Sequence, residues 1–113
     1  MGQLPKPYQQ FARENAAVVK AYETLGEACA KAGPLDAKTR ELVKLGMAIG
    51  GRLEGAAHSH TRRALEAGAT PREIRHVVAL AAPTLGFPTA VAAFTWVEDL
   101  LAKARGRARR QHG

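Results

Sequence analysis

The chain has 113 residues, enough for one domain with one core and too few for two domains of ordinary size. It contains one cysteine, which excludes an internal disulfide, a C-x-x-C pair and a cysteine-rich metal site. Hydrophobic residues make up 46% of the chain and aromatic residues only 5%, while alanine is abundant and β-branched residues are sparse. This composition predicts an all-α protein.

The formal net charge of +7 is concentrated at the C-terminus, where residues 103–113 carry five basic residues and no acidic one. The rest of the chain is therefore nearly balanced in charge. A short basic run that contains a glycine and no interleaved aromatic residue is typical of a solvated helix end. We therefore expect no nucleic-acid partner. The basic residues are Lys103, Arg105, Arg107, Arg109 and Arg110.

Two helices are predicted in the first half of the chain. Apolar residues recur every three or four positions over residues 8–31, which predicts one amphipathic helix that ends at Gly33-Pro34. Cys29 fits this pattern as a small core residue. Asp36 is suited to cap a second helix, which should stop at Gly50-Gly51.

Three more helices are predicted in the second half. One begins near Glu54 and ends at Ala67, before Gly68. The sequence Thr-Pro-Arg-Glu at residues 70–73 combines a capping threonine, a proline at the first helical position and a glutamate three residues after the cap, which predicts a helix start. The last helix should follow a break over residues 83–88 and continue into the basic run.

Residues 77–97 carry no charge and have the length of a membrane span, but Pro83, Gly86 and Pro88 interrupt them. We interpret this stretch as two buried helices joined by a turn. The first ten residues lack the apolar segment of a signal peptide, so a cytoplasmic location is expected. A helical set of this size often completes its core by self-association, which predicts a homo-oligomer.

A series of motifs occurs between residues 35 and 101. A Leu-Asp-x-Lys-x-Arg-Glu-Leu segment at residues 35–42 is followed by Gly50-Gly51, by His60 with two arginines after it, and by Ala-Gly-Ala-Thr at residues 67–70. In this order of motifs the chain resembles the carboxymuconolactone decarboxylase and AhpD-like (alkylhydroperoxidase-like) family. The resemblance implies one AhpD-like bundle of five to six helices over residues 1–113, assembled as a trimer or hexamer.

Redox members of that family carry a glutamate, eleven residues, a C-x-x-C pair, three residues and a histidine. Starting from Glu41, the two cysteine positions fall on Leu53 and Ala56, and the histidine falls on His60. A thiol mechanism needs a thiolate and a resolving thiol, which neither leucine nor alanine supplies. A peroxiredoxin-type peroxidase or disulfide reductase is therefore an alternative that the missing pair disfavours.

Glu41 and His60 are the candidate catalytic residues. Family decarboxylases, as the resemblance implies, act on a carboxymuconolactone, and loss of carbon dioxide leaves an enolate-like anion that must be protonated. A histidine is a suitable proton donor, and a carboxylate can orient it. We therefore expect a lyase that performs acid-base chemistry on a small carboxylated lactone in an apolar pocket. The second alternative is a non-catalytic helical binding or scaffold protein in which the pair only ties two helices together.

Glu54 and His58 lie four residues apart on one helical face, and His58 is rotated about 160° from His60, so the two imidazoles should not share a site. A catalytic metal usually takes three protein ligands, and the sequence indicates no third one. We therefore predict no metal and no cofactor. Glu54 and His58 become candidates for substrate binding or for an interface that completes a neighbour's pocket. The other candidates of this kind are Arg62, Phe87 and Trp96.

Overall fold

The computed structural model describes residues 4–112, with the side chains of the last helix described as far as Lys103. Within this range the chain forms six α-helices and no strand, which confirms the all-α prediction. They form two compact units, residues 1–35 and 36–113. The helices are α1 (Lys6–Glu14), α2 (Ala16–Lys31), α3 (Ala37–Gly50), α4 (Glu54–Glu66), α5 (Pro71–Leu85) and α6 (Phe87–His112).

The first unit contains two helices where the sequence predicts one. The break lies at Asn15, whose backbone angles of φ −133° and ψ 49° leave the helical region. Its side-chain amide donates to the carbonyl of Phe11 at 3.1 Å, and its backbone N–H donates to the same carbonyl at 2.9 Å. Asparagine competes with the helix in this way because its short side chain reaches nearby backbone groups. The prediction of one continuous helix is therefore wrong at this residue.

The amphipathic pattern of the first unit does not produce a core. Neither α1 nor α2 contains a buried residue. The prediction that Cys29 is a core residue is wrong, because its side chain is exposed. The large apolar residues of the stripe are each about half exposed or more: Phe11, Val18, Tyr22 and Leu25.

The second unit holds the core, to which each of its four helices contributes. Helix α3 packs against α4 and α5, and α6 packs against the same two helices. Several core positions are alanine, whose small side chain lets helix backbones approach closely. Trp96 is partly buried and packs against this core. The most deeply buried apolar residues are Leu45, Ile49, Ala57, Ala64, Ile74, Ala93, Val97 and Leu101.

The predicted starts of α3 and α5 are confirmed. The backbone N–H of Thr39 donates to the Asp36 carboxylate at 2.8 Å, and this bond lowers the pKa of Asp36. Thr70 and Glu73 form a reciprocal capping box, with hydrogen bonds of 2.9 and 3.0 Å. The pKa of Glu73 is lowered, mainly by the hydrogen bond from the Thr70 N–H. The hydrogen bond from the Lys38 ammonium is the second cause.

The junction between α5 and α6 is shorter than predicted. Helix α5 continues through Pro83, and the break consists of Gly86, whose φ of 106° is a conformation that favours glycine. Pro83 lies close to the end of the helix, so its missing N–H removes one hydrogen bond without dividing a longer element. Pro88 lies in the first turn of α6, where no N–H partner is needed. None of the helices within the described residues combines the length and the hydropathy that a membrane span requires.

The backbone of α6 extends to His112, so the basic run continues this helix. The run includes Lys103, whose side chain is exposed. The side chains of the other four basic residues of the run lie outside the described part of the structure.

Candidate active site

The structure brings Glu41 and His60 together. Glu41 lies on α3 and His60 on α4, and these two helices pack against each other. The imidazole Nδ1 of His60 lies 2.8 Å from Oε1 of Glu41. The side chains of His60 and Glu41 are 18% and 15% exposed, so solvent screens the pair less than a surface pair but still reaches it.

The hydrogen bond determines which nitrogen of His60 is available for chemistry. An ionised carboxylate can only accept a hydrogen bond, so Nδ1 is the donor and the proton of the neutral imidazole lies there. Among the described residues, Nε2 of His60 has no hydrogen-bond partner. Lys44, one turn after Glu41, places its ammonium 3.8 Å from the other carboxylate oxygen. The Glu41–His60 pair therefore leaves Nε2 available, and a lysine ammonium lies on the other oxygen of its carboxylate.

The two positions that correspond to the redox cysteines lie at the start of α4. Leu53 immediately precedes the helix, and Ala56 lies in its first turn. A helix N-terminus stabilises a thiolate, so the backbone there suits thiol chemistry. However, the residues are leucine and alanine, and Cys29 belongs to the other compact unit.

An apolar groove of about 340 Å³ runs between α3 and α5. Glu41 and His60 are not among its lining residues. An apolar pocket around the pair therefore stays a prediction. The groove is lined mainly by Leu42, Val43, Gly46, Val77, Leu80 and Leu85.

A second histidine-carboxylate pair joins α4 to α6. Nε2 of His58 lies 3.2 Å from Oδ2 of Asp99. Glu54 lies beside them, and one side-chain nitrogen or oxygen from each of the three residues lies within 4.8 Å of the other two. As the helical rotation predicts, His58 and His60 have different partners. Asp99 was not predicted, because it follows Glu98 on α6 and only the packing of α6 against α4 distinguishes the two acids.

The remaining candidate residues take no part in a hydrogen bond with Glu41 or His60 among the described residues. Arg62 is partly buried on α4, two residues after His60. Phe87 is the first residue of α6 and is 71% exposed. Trp96 supports the core, as described above. A contact of Phe87 or Arg62 with a substrate stays a prediction.

Comparison with known proteins gives a consistent result. The model of the carboxymuconolactone decarboxylase family matches residues 16–99. A crystal structure of an apo carboxymuconolactone decarboxylase family protein from Legionella pneumophila is similar, with a TM-score of 0.70 and 25% identity over 81% of this chain and 82% of that one. An uncharacterized protein of Haemophilus influenzae is 34% identical over 61 residues, 54% of each chain. The match thus spans about half of that relative.

Proposed function

Because the chain belongs to the carboxymuconolactone decarboxylase family, we propose that it catalyses proton transfer during decarboxylation of a small carboxylated lactone or a related compound. His60 is the catalytic acid and base, and Glu41 positions it. The observation that carries this proposal is the 2.8 Å hydrogen bond between Nδ1 of His60 and Glu41. It fixes the imidazole with Nε2 available to a substrate.

In the reaction, the bond between the substrate carbon and its carboxylate breaks, and carbon dioxide leaves. The electron pair that remains is delocalised into the conjugated lactone carbonyl. Nε2 of the imidazolium then donates its proton to the carbanionic carbon, while Nδ1 keeps its own proton and continues to donate a hydrogen bond to Glu41. A proton from water restores the imidazolium. Glu41 keeps the ring oriented throughout by accepting the hydrogen bond from Nδ1.

The charge beside the pair supports an anionic substrate. Lys44 places an ammonium 3.8 Å from Glu41, and its side chain is 36% exposed, so it remains accessible from solvent. The Lys44 ammonium offsets the charge of the Glu41 carboxylate, so the imidazolium form of His60 would leave the three groups with a net positive charge that attracts a substrate carboxylate. This is the reason for preferring a carboxylated lactone to a neutral one.

The test is decarboxylation of carboxylated lactones in deuterated water. We expect release of carbon dioxide and one deuterium on the carbon that lost the carboxylate. His60→Gln should lose this activity, whereas His76→Gln, which changes an exposed histidine on α5, should retain it. Turnover by His60→Gln equal to that of the wild type would contradict the proposed role. Inertness of the folded wild type across the lactone panel would favour the non-catalytic scaffold.

The thiol alternative has its own test. Since Leu53 and Ala56 stand at the cysteine positions, we expect no turnover in peroxide-reduction or disulfide-reduction assays. Alkylation of Cys29 should leave the lactone activity unchanged. Robust peroxide turnover that disappears when Cys29 is alkylated would establish the redox alternative instead.

We further propose that the chain forms a homo-oligomer, namely the trimer or hexamer that the family resemblance implies. Exposed apolar side chains on α3 and α5 support this, since Val43, Met47 and Leu80 are 42%, 69% and 54% exposed. A folded monomer seldom leaves large apolar residues of two adjoining helices in water. Light scattering at micromolar concentration should give a multiple of the chain mass, and the mass of one chain would refute self-association.

A further inference from the structure

We propose that Glu54, His58 and Asp99 bind a divalent transition-metal cation of the zinc class at the seam between α4 and α6. One ligand atom from each of the three side chains lies within 4.8 Å of the other two. The sequence reveals two of these residues as a pair and offers no third. The fold supplies the third from a helix that is distant in sequence.

The backbone holds these three ligands in a defined arrangement. Glu54 and His58 are one turn apart on α4, so their side chains project from the same face. Asp99 faces them from α6, between the buried residues Val97 and Leu101, which are 0% and 2% exposed. Glu54 and Asp99 are exposed, and His58 is half-buried. A cation can therefore reach the three residues without any opening of the core.

The donor types favour a zinc-class cation over magnesium or calcium. One imidazole nitrogen and two carboxylate oxygens are the mixture that zinc and similar metals accept, whereas magnesium and calcium favour sites made of oxygen alone. Donor atoms about 2.1 Å from a tetrahedral zinc ion lie about 3.4 Å from each other. His58 and Asp99 already approach to 3.2 Å. The oxygen of Glu54 lies within 4.8 Å of the other two ligand atoms, so the proposal requires a side-chain movement of that oxygen by an ångström or so, and water can complete the coordination.

The charges of the site also suit a cation. Glu54 and Asp99 bring two carboxylates together, and their mutual repulsion is relieved by a bound divalent ion. Among the described residues, neither acid forms an ion pair with a lysine or an arginine. Glu98, the neighbouring acid, differs in this respect, because it binds Arg75 at 2.6 Å on the side of α5. The two adjacent acids of α6 thus have different surroundings.

The site does not depend on the proposed decarboxylation. It uses a different face of α4 from His60, and its ligand is the metal ion itself. Failure of every lactone assay would leave it unaffected, and a failure to bind metal would leave the Glu41–His60 proposal unaffected.

The experiment is a calorimetric titration of the full chain with zinc chloride. We expect one saturable zinc ion per chain in the wild type. Glu54→Gln, His58→Gln and Asp99→Asn should each weaken binding by at least about tenfold, since loss of an outer-shell partner alone costs about 10- to 100-fold. The matched controls Glu66→Gln and His76→Gln, which alter an exposed acid and an exposed histidine elsewhere, should bind as the wild type does.

Nitrogen NMR of the histidine rings provides a second readout in the unmodified protein. Zinc should shift Nε2 of His58, the nitrogen that faces Asp99, and leave His60 unchanged. Circular dichroism of each variant should show the wild-type helix content, so that lost binding reports lost ligands. The proposal is overturned if no saturable binding occurs, if the three ligand variants bind like the controls, or if the shift appears on His60 or His76 instead of His58.

Discussion

Two histidines that lie two residues apart on α4 form two different kinds of pair. His60 meets Glu41 of α3 at 2.8 Å, with side chains that are 18% and 15% exposed. His58 meets Asp99 of α6 at 3.2 Å, with side chains that are 32% and 58% exposed. The rotation of the helix directs one imidazole toward α3 and the other toward α6. Histidine is thus suited to proton transfer in the Glu41–His60 pair, which is the inner pair, and to metal binding in the more exposed His58–Asp99 pair, which is the outer pair.

The largest expected difference between the pairs is in turnover. His60→Gln should reduce lactone decarboxylation by about 10²- to 10⁴-fold, the usual contribution of a general acid or base. His58→Gln should change it by less than about tenfold, because His58 does not approach the inner pair. Steady-state release of carbon dioxide measures both. Equal losses of activity in the two variants would show that the two pairs act as one site and do not have separate roles.

The second difference is in folding stability. Glu41→Ala should lower the free energy of unfolding by about 1–3 kcal/mol, because it leaves the Nδ1–H of His60, whose side chain is only 18% exposed, without an acceptor. Glu41→Gln should cost less, since its amide oxygen can still accept that bond. Urea unfolding with an unchanged m-value measures the change. If Glu41→Ala is as stable as the wild type, the inner hydrogen bond contributes nothing to the fold.

The third difference between the pairs is the ring nitrogen that carries the proton. The two neutral imidazoles should be opposite tautomers, with the proton on Nδ1 of His60 and on Nε2 of His58, since each carboxylate accepts from the nitrogen that faces it. Nitrogen chemical shifts in metal-free buffer distinguish the tautomers. The preference of His60 should disappear in Glu41→Ala and persist in Asp99→Asn. The same tautomer at both histidines would contradict the geometry.

Local chemistry made much of this architecture predictable. The caps Asp36 and Thr70 act on backbone groups within three residues, so their effect can be recognised in the sequence alone. Glu41 and His60 could be selected because the interval between them matches the family motif even though the cysteines between them are missing. That the two side chains meet follows from the packing of α3 on α4, which the motif implies but does not itself describe.

The features that the sequence did not reveal have two causes. Either a side chain competes with the helix for backbone hydrogen bonds, or the feature depends on how helices distant in sequence pack together. The break at Asn15 has no glycine or proline to mark it, and Pro83 is tolerated because it lies near the end of its helix. Cys29 has the spacing of a core residue, yet it is exposed. Periodicity identifies the apolar face of a helix but does not show whether another element packs on that face. Asp99 faces α4 and Glu98 faces Arg75, a difference that arises only when α4, α5 and α6 pack together.

The smallest expected effect is that of the outer pair on stability without metal. Asp99→Asn should change the free energy of unfolding by less than about 0.5 kcal/mol, because a solvent-exposed pair of polar side chains contributes little to stability. Addition of zinc should then make the stability of the wild type differ from that of Asp99→Asn. A ligand that binds only the folded state stabilises it by an amount that grows with the ratio of ligand concentration to Kd, so the metal should raise the urea midpoint of the wild type more than that of Asp99→Asn. Glu66→Gln is the matched control and should respond to zinc as the wild type does. A large loss of stability in metal-free Asp99→Asn would mean that the outer pair is a structural tie between α4 and α6, and the contrast between the two pairs would then lie in their partners alone.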